Sequence, residues 1–315
     1  MRHSIGTSVL AVVLASALVN SFAQVPPDLA EKLKAIGPVI NPAATAPMYA
    51  TRVGAAPSAT QTTIERDVAY GKNERHLLDV FRPSAPGDQF KPVLMFVHGG
   101  AFVAGNRRTG PESPFYDNVM AWAVQNGMVG VNMTYRLAPK DPWPAGAIDV
   151  GQAVRWIYEN ISQRGGDPKR IFLLGHSAGA SHVAAYIAHP QFHQLQGSGL
   201  AGAMLLSGVY SITPELVARS PSYPSYFGSD PQKYPQQSSL AGLIASPVPL
   251  WVGNAELDPA SFREQGELLR SGLAKADKKF ASADFAGHNH LSQAYSIHSD
   301  DASVGKALLE FINTR

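Results

Sequence analysis

Short runs of consecutive apolar residues, separated by stretches with helical periodicity, constrain the fold of this 315-residue chain more than any other feature. An unalternated apolar run indicates a strand buried on both faces, which is typical of a parallel sheet covered by helices. Two earlier runs, around residues 64–70 and 76–81, flank Gly71-Lys72-Asn73 and predict a hairpin. The apolar runs are Val93–Val97, Met128–Val131, Ile171–Leu174, Ala203–Leu206 and Leu250–Val252.

Apolar residues at helical spacing lie between and after these runs. The predicted helix faces are Ala147, Val150, Val154 and Ile157, then Phe262, Leu269 and Leu273, then Val304, Leu308 and Phe311. The alternation predicts an α/β fold, with a mostly parallel sheet of about eight strands and helices on both faces. Because no linker interrupts the alternation, we expect a single domain over residues 64–315.

A Pro- and Ala-rich arm over residues 24–63 precedes this domain. Pro26-Pro27 near a first turn and Gly37 at the end predict one short helix. The rest of the arm is expected to lie over the core or to form a partly mobile leader.

The first 23 residues have the pattern of a secretory signal. Met1-Arg2-His3 is a short basic region, Ile5–Val19 is apolar, and Ser21-Phe22-Ala23 provides a cleavage site before Gln24. The alternative is a membrane anchor, but the apolar stretch is shorter than the roughly 20 residues that a span needs. No later segment is long and apolar enough to span a membrane, so we expect a soluble chain exported to the periplasm or the medium.

Composition excludes several classes of function. Lys and Arg number 26 against 24 Asp and Glu, and no long basic block is present, which argues against nucleic acid as a partner. Cysteine is absent. Disulfides, Cys-ligated zinc, iron–sulfur clusters and a cysteine nucleophile are therefore excluded.

The strongest local signal for chemistry is Gly175-His176-Ser177-Ala178-Gly179, between the apolar run 171–174 and a helix-compatible stretch over 178–188. A serine on a tight strand-to-helix turn leaves no room for bulky side chains two positions away, and both positions are glycine. The helix N-terminus also brings backbone N–H donors beside the hydroxyl. The pattern predicts Ser177 as a nucleophile; the alternative is an ordinary Gly/Ser turn.

A second motif, His98-Gly99-Gly100-Ala101-Phe102, directly follows the apolar run 93–97. Two glycines behind a buried strand let the backbone turn back and bring N–H groups close to a ligand. Together with the N–H of Ala178, such a loop would hold the oxyanion of a tetrahedral intermediate. We expect His98 to hold the loop through hydrogen bonds rather than to act as a base.

Two acids follow the apolar run 250–252 and could serve a catalytic serine. The order serine, acid, histidine is typical of hydrolases on parallel sheets, and strand ends in such sheets carry functional residues. Glu256 and Asp258 both satisfy this order. Asp258 precedes Pro259 and a helical stretch, so a helix cap is its alternative role.

Two histidines, His288 and His290, follow a predicted strand over residues 280–285 and are the candidate bases. Their positions alone do not separate them. Together with His298, Asp300 and Asp301 they form a His- and Asp-rich tract. Its residues do not have the spacing of known zinc sites, so we expect no metal.

With these residues in place, the sequence resembles a known family. Three motifs, His98–Phe102, Tyr135-Arg136-Leu137-Ala138-Pro139 and Gly175–Gly179, have the order and approximate spacing of the α/β-hydrolase esterases. The sequence is most similar to the hormone-sensitive-lipase-like esterases and the neighbouring feruloyl-esterase-like and kynurenine-formamidase-like hydrolases. The resemblance covers about residues 64–315 and implies the α/β-hydrolase fold. Within the middle segment, we expect Arg136 and Asp149 to form an internal brace.

The resemblance also implies roles for individual residues. Many relatives have a third glycine at Ala101, a position that donates its N–H, and alanine retains that group. Gly100, Ala101 and Ala178 are thereby implied as the oxyanion donors. Asp258 resembles the acid of the family's turn, and His290, the second histidine of the pair, resembles the family's base.

The implied function is hydrolysis of small-molecule carboxylic esters by Ser177, His290 and Asp258 through an acyl-enzyme, with no cofactor. Two alternatives stay open. An amidase or formamidase could use the same three residues, and a hydrolase-fold binding protein would have no activity, although the intact serine, acid and histidine argue against it.

The segment over residues 209–240 is too long for a plain connection. It predicts a small cap whose aromatic residues either line a substrate pocket or simply pack at the surface. These residues are Tyr210, Tyr223, Tyr226, Phe227 and Tyr234.

Overall fold

A computed structural model describes residues 25–54, 60–85, 87 and 89–315 of the chain. The predicted signal over residues 1–23 lies outside the described residues. One eight-stranded sheet, in the order β1-β2-β4-β3-β5-β6-β7-β8, forms the centre of the described part. Its strands are β1 (Thr62–Ala69), β2 (Leu77–Pro83), β3 (Lys91–Val97), β4 (Val129–Met133), β5 (Gly166–His176), β6 (Gly202–Leu206), β7 (Leu250–Leu257) and β8 (Phe280–Asn289).

The strand directions confirm the predicted architecture. β1 and β2 form the expected antiparallel hairpin at one edge, and β2 also pairs antiparallel with β4. All remaining neighbours are parallel. β4 and β6 are buried along their whole length, which explains why their sequences are uniformly apolar.

Helices connect the strands and cover the sheet. Those in the described residues are α1 (Pro27–Ile36), α2 (Pro42–Ala50), α3 (Asp117–Gln125), α4 (Ala145–Asn160), α5 (Ala178–Ala188), α6 (Pro214–Ala218), α7 (Ser222–Phe227), α8 (Tyr234–Gln237), α9 (Leu240–Ala245), α10 (Ala260–Lys275), α11 (Ser292–Tyr295) and α12 (Ser303–Asn313). None of them is long and apolar enough to cross a bilayer.

Alternate side chains of the central strands supply two apolar layers, one on each face of the sheet. Val93 and Met95 belong to the layer that also contains α4, α5 and α10, and Leu94 belongs to the layer under α1, α3 and α12. The predicted faces of α4, α10 and α12 are buried as expected. Burying a leucine such as Leu269 or Leu308 contributes about 1.5–3 kcal/mol to the free energy of unfolding.

The described part of the N-terminal arm contains two helices where the sequence predicted one. α1 begins and ends as expected, at Pro27 and before Gly37. α2 was missed because its prolines and small residues carry no apolar periodicity, and its stability comes from tertiary contacts instead. Asn41 caps α2 with its side chain, and the hydroxyl of Tyr49 donates to the buried carboxylate of Asp301. The arm therefore lies over the core.

Candidate active site

Ser177 stands on the turn between β5 and α5, with a φ of 57° that non-glycine residues rarely adopt. Both flanking glycines are needed for close approach. A Cβ on Gly175 would lie 2.6 Å from the Cα of Ala180, and a Cβ on Gly179 would lie 2.0 Å from the carbonyl oxygen of Val97. The turn is thus held between a strand and a helix, and it directs Ser177 into a cavity.

The loop after β3 lies against this turn. Gly100, Ala101 and Phe102 have successive φ values of 136°, 52° and 68°, which fold the loop back on itself. The N–H of Ala104 donates to the carbonyl of Gly100 at 2.9 Å. A Cβ on Gly99 would lie 3.0 Å from the Cβ of Ser177, so the loop packs directly on the serine.

The three implied oxyanion donors line the same cavity as Ser177. Gly100 and Ala101 come from the loop, and Ala178 is the first residue of α5. An N–H in the first turn of a helix has no partner within the helix. The three residues therefore belong to the wall of the cavity that Ser177 also lines.

His290 and Asp258 are brought together from the ends of β8 and β7. The Nδ1 of His290 donates to the Oδ1 of Asp258 at 2.7 Å, and both side chains are buried. His290 lines the cavity beside Ser177. Its Nε2 is buried and has no hydrogen-bond partner among the described residues. With the proton on Nδ1, this Nε2 can accept another.

Asp258 stays ionised although it is fully buried. Burial by itself raises the pKa of its carboxyl, but hydrogen bonds lower that pKa below its usual value. The bonds come from His290 to Oδ1, and from the hydroxyl of Ser207 at 2.6 Å and the N–H of Ala255 at 2.9 Å to Oδ2. The side chain makes no capping bond to α10.

The competing acid and base lie elsewhere. Glu256 is exposed and accepts from the N–H of Gly287 at 2.7 Å. His288 is fully buried between the hydroxyls of Ser292 and Ser303, at 2.9 and 2.7 Å. Burial lowers the pKa of His288 to about 4, which keeps it neutral. Neither Glu256 nor His288 lines the cavity.

The residues predicted to support the site do so. His98 is buried and its Nδ1 donates to the carbonyl of Gly99 at 2.6 Å, which confirms that it holds the loop. Burial lowers the pKa of His98 to about 3. The guanidinium and the N–H of Arg136 donate to Asp149 at 2.7 Å, and His76 contacts the same carboxylate at 3.0 Å. The predicted brace is confirmed.

Three supporting residues were not found from the sequence. Ser207, at the end of β6, donates to Asp258 as described, and Gln293 donates to the Ser207 hydroxyl at 2.7 Å. His176 donates from Nε2 to the carbonyl of His290 at 2.8 Å. Two of the three could have been suspected from their position, because Ser207 and His176 both lie at carboxyl ends of parallel strands, where functional residues are common.

The cavity has a volume of about 930 Å³. Tyr223 lines it, whereas Tyr226 and Phe227 contact the ring of Phe102 at centroid distances of 4.4 and 5.2 Å. Tyr223 fits the interpretation as a pocket residue, whereas Tyr226 and Phe227 are buried in an apolar cluster around Phe102 rather than packed at the surface. Ile40, from the arm, forms another part of the wall.

The chain is similar in sequence to known hydrolases. The family model BD-FAE matches residues 78–200. The esterase LipQ of Mycobacterium tuberculosis is 29% identical over 267 residues, which cover 78% of this chain and 61% of LipQ. The kynurenine formamidase of Danio rerio is 28% identical over 81% of this chain and 83% of its own length. The chain therefore spans less than two thirds of LipQ but most of the formamidase.

Solved structures show the same fold. Esterase B from Lactobacillus rhamnosis superposes with a TM-score of 0.70 at 16% identity, covering 91% of this chain and 97% of that protein. A bacterial heroin esterase has a TM-score of 0.67 at 22% identity, covering 92% of this chain and 96% of that protein.

The sheet order, the serine on its strand-to-helix turn and the histidine–aspartate pair have the arrangement of the α/β-hydrolase fold. Within this fold, the chain is similar in sequence to the esterase and the formamidase named above.

Proposed function

We propose that the chain hydrolyses carboxylic esters, with Ser177 as nucleophile, His290 as base and Asp258 as the acid that orients it. The observation that carries this proposal is the buried Nε2 of His290. That atom has no partner among the described residues, and it belongs to an imidazole that lines the cavity with Ser177 and contacts Asp258 at 2.7 Å. Such a nitrogen is suited to accept the proton of a serine hydroxyl.

In the first half of the reaction, the Oγ of Ser177 attacks the ester carbonyl carbon as its proton passes to His290. The carbonyl π electrons move to oxygen, and the N–H groups of Gly100, Ala101 and Ala178 bind that oxyanion. When the intermediate collapses, the C–O bond breaks and the alcohol leaves with the proton from His290. Ser177 then carries the acyl group.

Water completes the cycle. His290 removes a proton from the water, whose oxygen attacks the acyl carbon, and the same N–H groups bind the second oxyanion. Collapse returns the proton to Ser177 and releases the acid. The carboxylate of Asp258 stabilises the imidazolium in both halves, and its lowered pKa keeps it charged.

A second candidate is hydrolysis of formamides, which the similarity to a kynurenine formamidase over 83% of that protein favours. The same three residues could cleave a C–N bond. A panel of p-nitrophenyl esters, feruloyl esters and N-formyl amides separates the candidates by their kcat/KM values. Faster turnover of the formamides would move the assignment to that class.

The decisive experiment is labelling with a fluorophosphonate probe, followed by peptide mapping. We expect the label on Ser177, and Ser177→Ala should lose it together with at least about 10³-fold of kcat on p-nitrophenyl butyrate. Ser181→Ala is a matched control, because Ser181 also lines the cavity. Absence of label and of turnover in the folded wild-type protein would favour a non-catalytic binding protein.

We also propose that the protein is exported. The supporting pattern is the basic start, the apolar stretch and the small residues before Gln24.

A further inference from the structure

The charged side chains in the described part of the cavity wall are all basic. Two arginines, Arg108 and Arg219, are the charged side chains among the described residues that line it, and none of those residues is an aspartate or glutamate. The remainder of the wall is largely apolar, with Ile40, Tyr223 and Phe262 among its members. The charged side chains in the described part of the cavity wall are therefore guanidinium groups and no carboxylates.

The two arginines differ in how far their hydrogen-bonding capacity is already used. Arg219 donates to the carboxylate of Glu264 at 2.8 Å. Its charge is thereby balanced within the protein.

Arg108 is paired with carboxylates by charge alone, without a hydrogen bond. Its shortest contacts to carboxylates are 3.6 Å to the Oδ2 of Asp79 and 3.8 Å to the Oδ1 of Asp67, both beyond hydrogen-bond distance. It forms no hydrogen bond with another residue in the part of the chain that the structure describes. Its side chain is 35% exposed, and it lines the cavity.

The neighbouring acids are occupied by other arginines. Oδ2 of Asp79 accepts from Arg66 at 2.8 Å, and Oδ1 accepts from Arg107 at 2.8 Å. Asp67 is in close contact with Arg107 as well. Asp79 is fully buried, and both of its carboxylate oxygens already accept hydrogen bonds from other arginines. The guanidinium of Arg108 is left with free N–H donors at the cavity wall.

We propose that Arg108 binds a carboxylate of the substrate, so that the preferred esters carry a free carboxylate besides the bond that is cleaved. This inference rests on the proposed function. Arg108 lies on the loop that also contributes Gly100 and Ala101, so an acid held there remains close to the reacting carbonyl. A guanidinium pairs with a carboxylate through two parallel N–H···O bonds, which gives direction as well as affinity.

The test compares charged and neutral esters of nearly equal shape. One pair places the charge on the leaving group, para-carboxyphenyl butyrate against para-carbamoylphenyl butyrate. The other places it on the acyl group, monoethyl adipate against the ethyl ester of adipic monoamide. We expect the wild type to prefer the charged member of at least one pair by about tenfold in kcat/KM. The pair that shows the preference identifies which half of the ester carries the acid.

Variants then assign the preference to a residue. Arg108→Gln should bring the charged-to-neutral ratio close to one, Arg108→Lys should retain part of it, and Arg219→Gln should leave it as in the wild type. Raising the ionic strength from 0.05 to 0.5 M shortens the screening length about threefold, so it should reduce the charged-to-neutral ratio of the wild type. If Arg108→Gln does not fold, competitive inhibition of the wild type by benzoate against benzamide, at both ionic strengths, measures the same preference.

An unchanged ratio in folded Arg108→Gln, or equal rates on both members of both pairs in the wild type, would overturn the assignment. These results differ from failure of the proposed function, in which the neutral esters also would not be hydrolysed.

Discussion

The hydroxyl of Ser207 donates to the Oδ2 of Asp258 at 2.6 Å, while His290 occupies the other carboxylate oxygen at 2.7 Å. Ser207 has a φ of 51°, and it is 1% exposed. Gln293 donates to the Ser207 hydroxyl at 2.7 Å and to the carbonyl of His290 at 3.3 Å. A closed ring of hydrogen bonds therefore fixes the acid relative to the loop that carries the base.

We expect removal of the Ser207 hydroxyl to lower kcat about tenfold with little change in KM, because one charge-assisted hydrogen bond to Asp258 is lost. Ser207→Gly and Ser207→Ala both remove it, but only alanine is strained at this positive φ. The two variants should thus share the kinetic defect. The free energy of unfolding of Ser207→Ala should be about 1 kcal/mol lower than that of Ser207→Gly. Wild-type kcat in both variants would mean that the hydroxyl does not support Asp258 in the reaction.

Asp258→Asn should lower kcat by about 10²- to 10⁴-fold with the fold intact, since the amide no longer stabilises the imidazolium of His290. Glu256→Gln should cost little, because its oxygen can still accept from the N–H of Gly287. Kinetics on p-nitrophenyl butyrate with circular dichroism of each variant check this. The reverse pattern would assign the acid to Glu256.

His290→Ala should abolish turnover. His288→Ala should retain most of kcat but reduce the free energy of unfolding by about 1–3 kcal/mol, because the buried hydroxyls of Ser292 and Ser303 lose a partner. Urea denaturation and steady-state kinetics on both variants separate the two effects. If His288→Ala were stable but inactive, the base would be His288.

Stability should fall towards acid pH. Burial lowers the pKa values of His98, His176 and His182 to about 3, whereas an unfolded histidine titrates near 6.5. Between these values the unfolded chain binds more protons, so the free energy of unfolding is maximal above pH 6.5 and decreases below it. In this pH range, each of these histidines changes the free energy of unfolding by up to about 1.4 kcal/mol per pH unit.

Urea denaturation at pH 7.5, 6.0 and about 5 measures this dependence. His182→Gln should reduce the slope by the share of one histidine. A free energy of unfolding that stays constant or rises on acidification would contradict the expected direction.

Export predicts that the protein recovered from the periplasm or medium begins near Gln24, as read by N-terminal sequencing. Expression of the same chain with Ile5–Val19 interrupted by charged residues is the control, and it should remain uncleaved in the cell. Recovery of the wild-type soluble protein with Met1 in place would exclude cleavage.

The sequence revealed local relationships better than distant ones. The Ser177 turn was predictable because Gly175 and Gly179 are within two residues of it and are required by contacts of 2.0–2.7 Å. The choice between Glu256 and Asp258 depended on where β7 ends. The N–H of Asp258 donates to the carbonyl of Ala255 at 3.1 Å, and that turn directs only the second acid inwards.

The contact between Ser207 and Gln293 could not be predicted for a different reason. They are 86 residues apart and meet only because β6 and the segment after β8 reach the same edge of the sheet. Neither residue belongs to a motif, and their residue types are common at any surface.

The N-terminal arm has a consequence for the order of folding. Its buried Leu29 and Leu33 lie under β8, and Thr45 accepts a hydrogen bond at 3.0 Å from Asn289, the residue before His290. During synthesis or translocation, the first of these residues emerges about 250 positions ahead of its partners. The apolar side chains of the arm therefore stay exposed while almost all of the rest of the chain is synthesised. In that state chaperone binding competes with aggregation. The polypeptide can assemble the surroundings of its base only after its last strand has arrived.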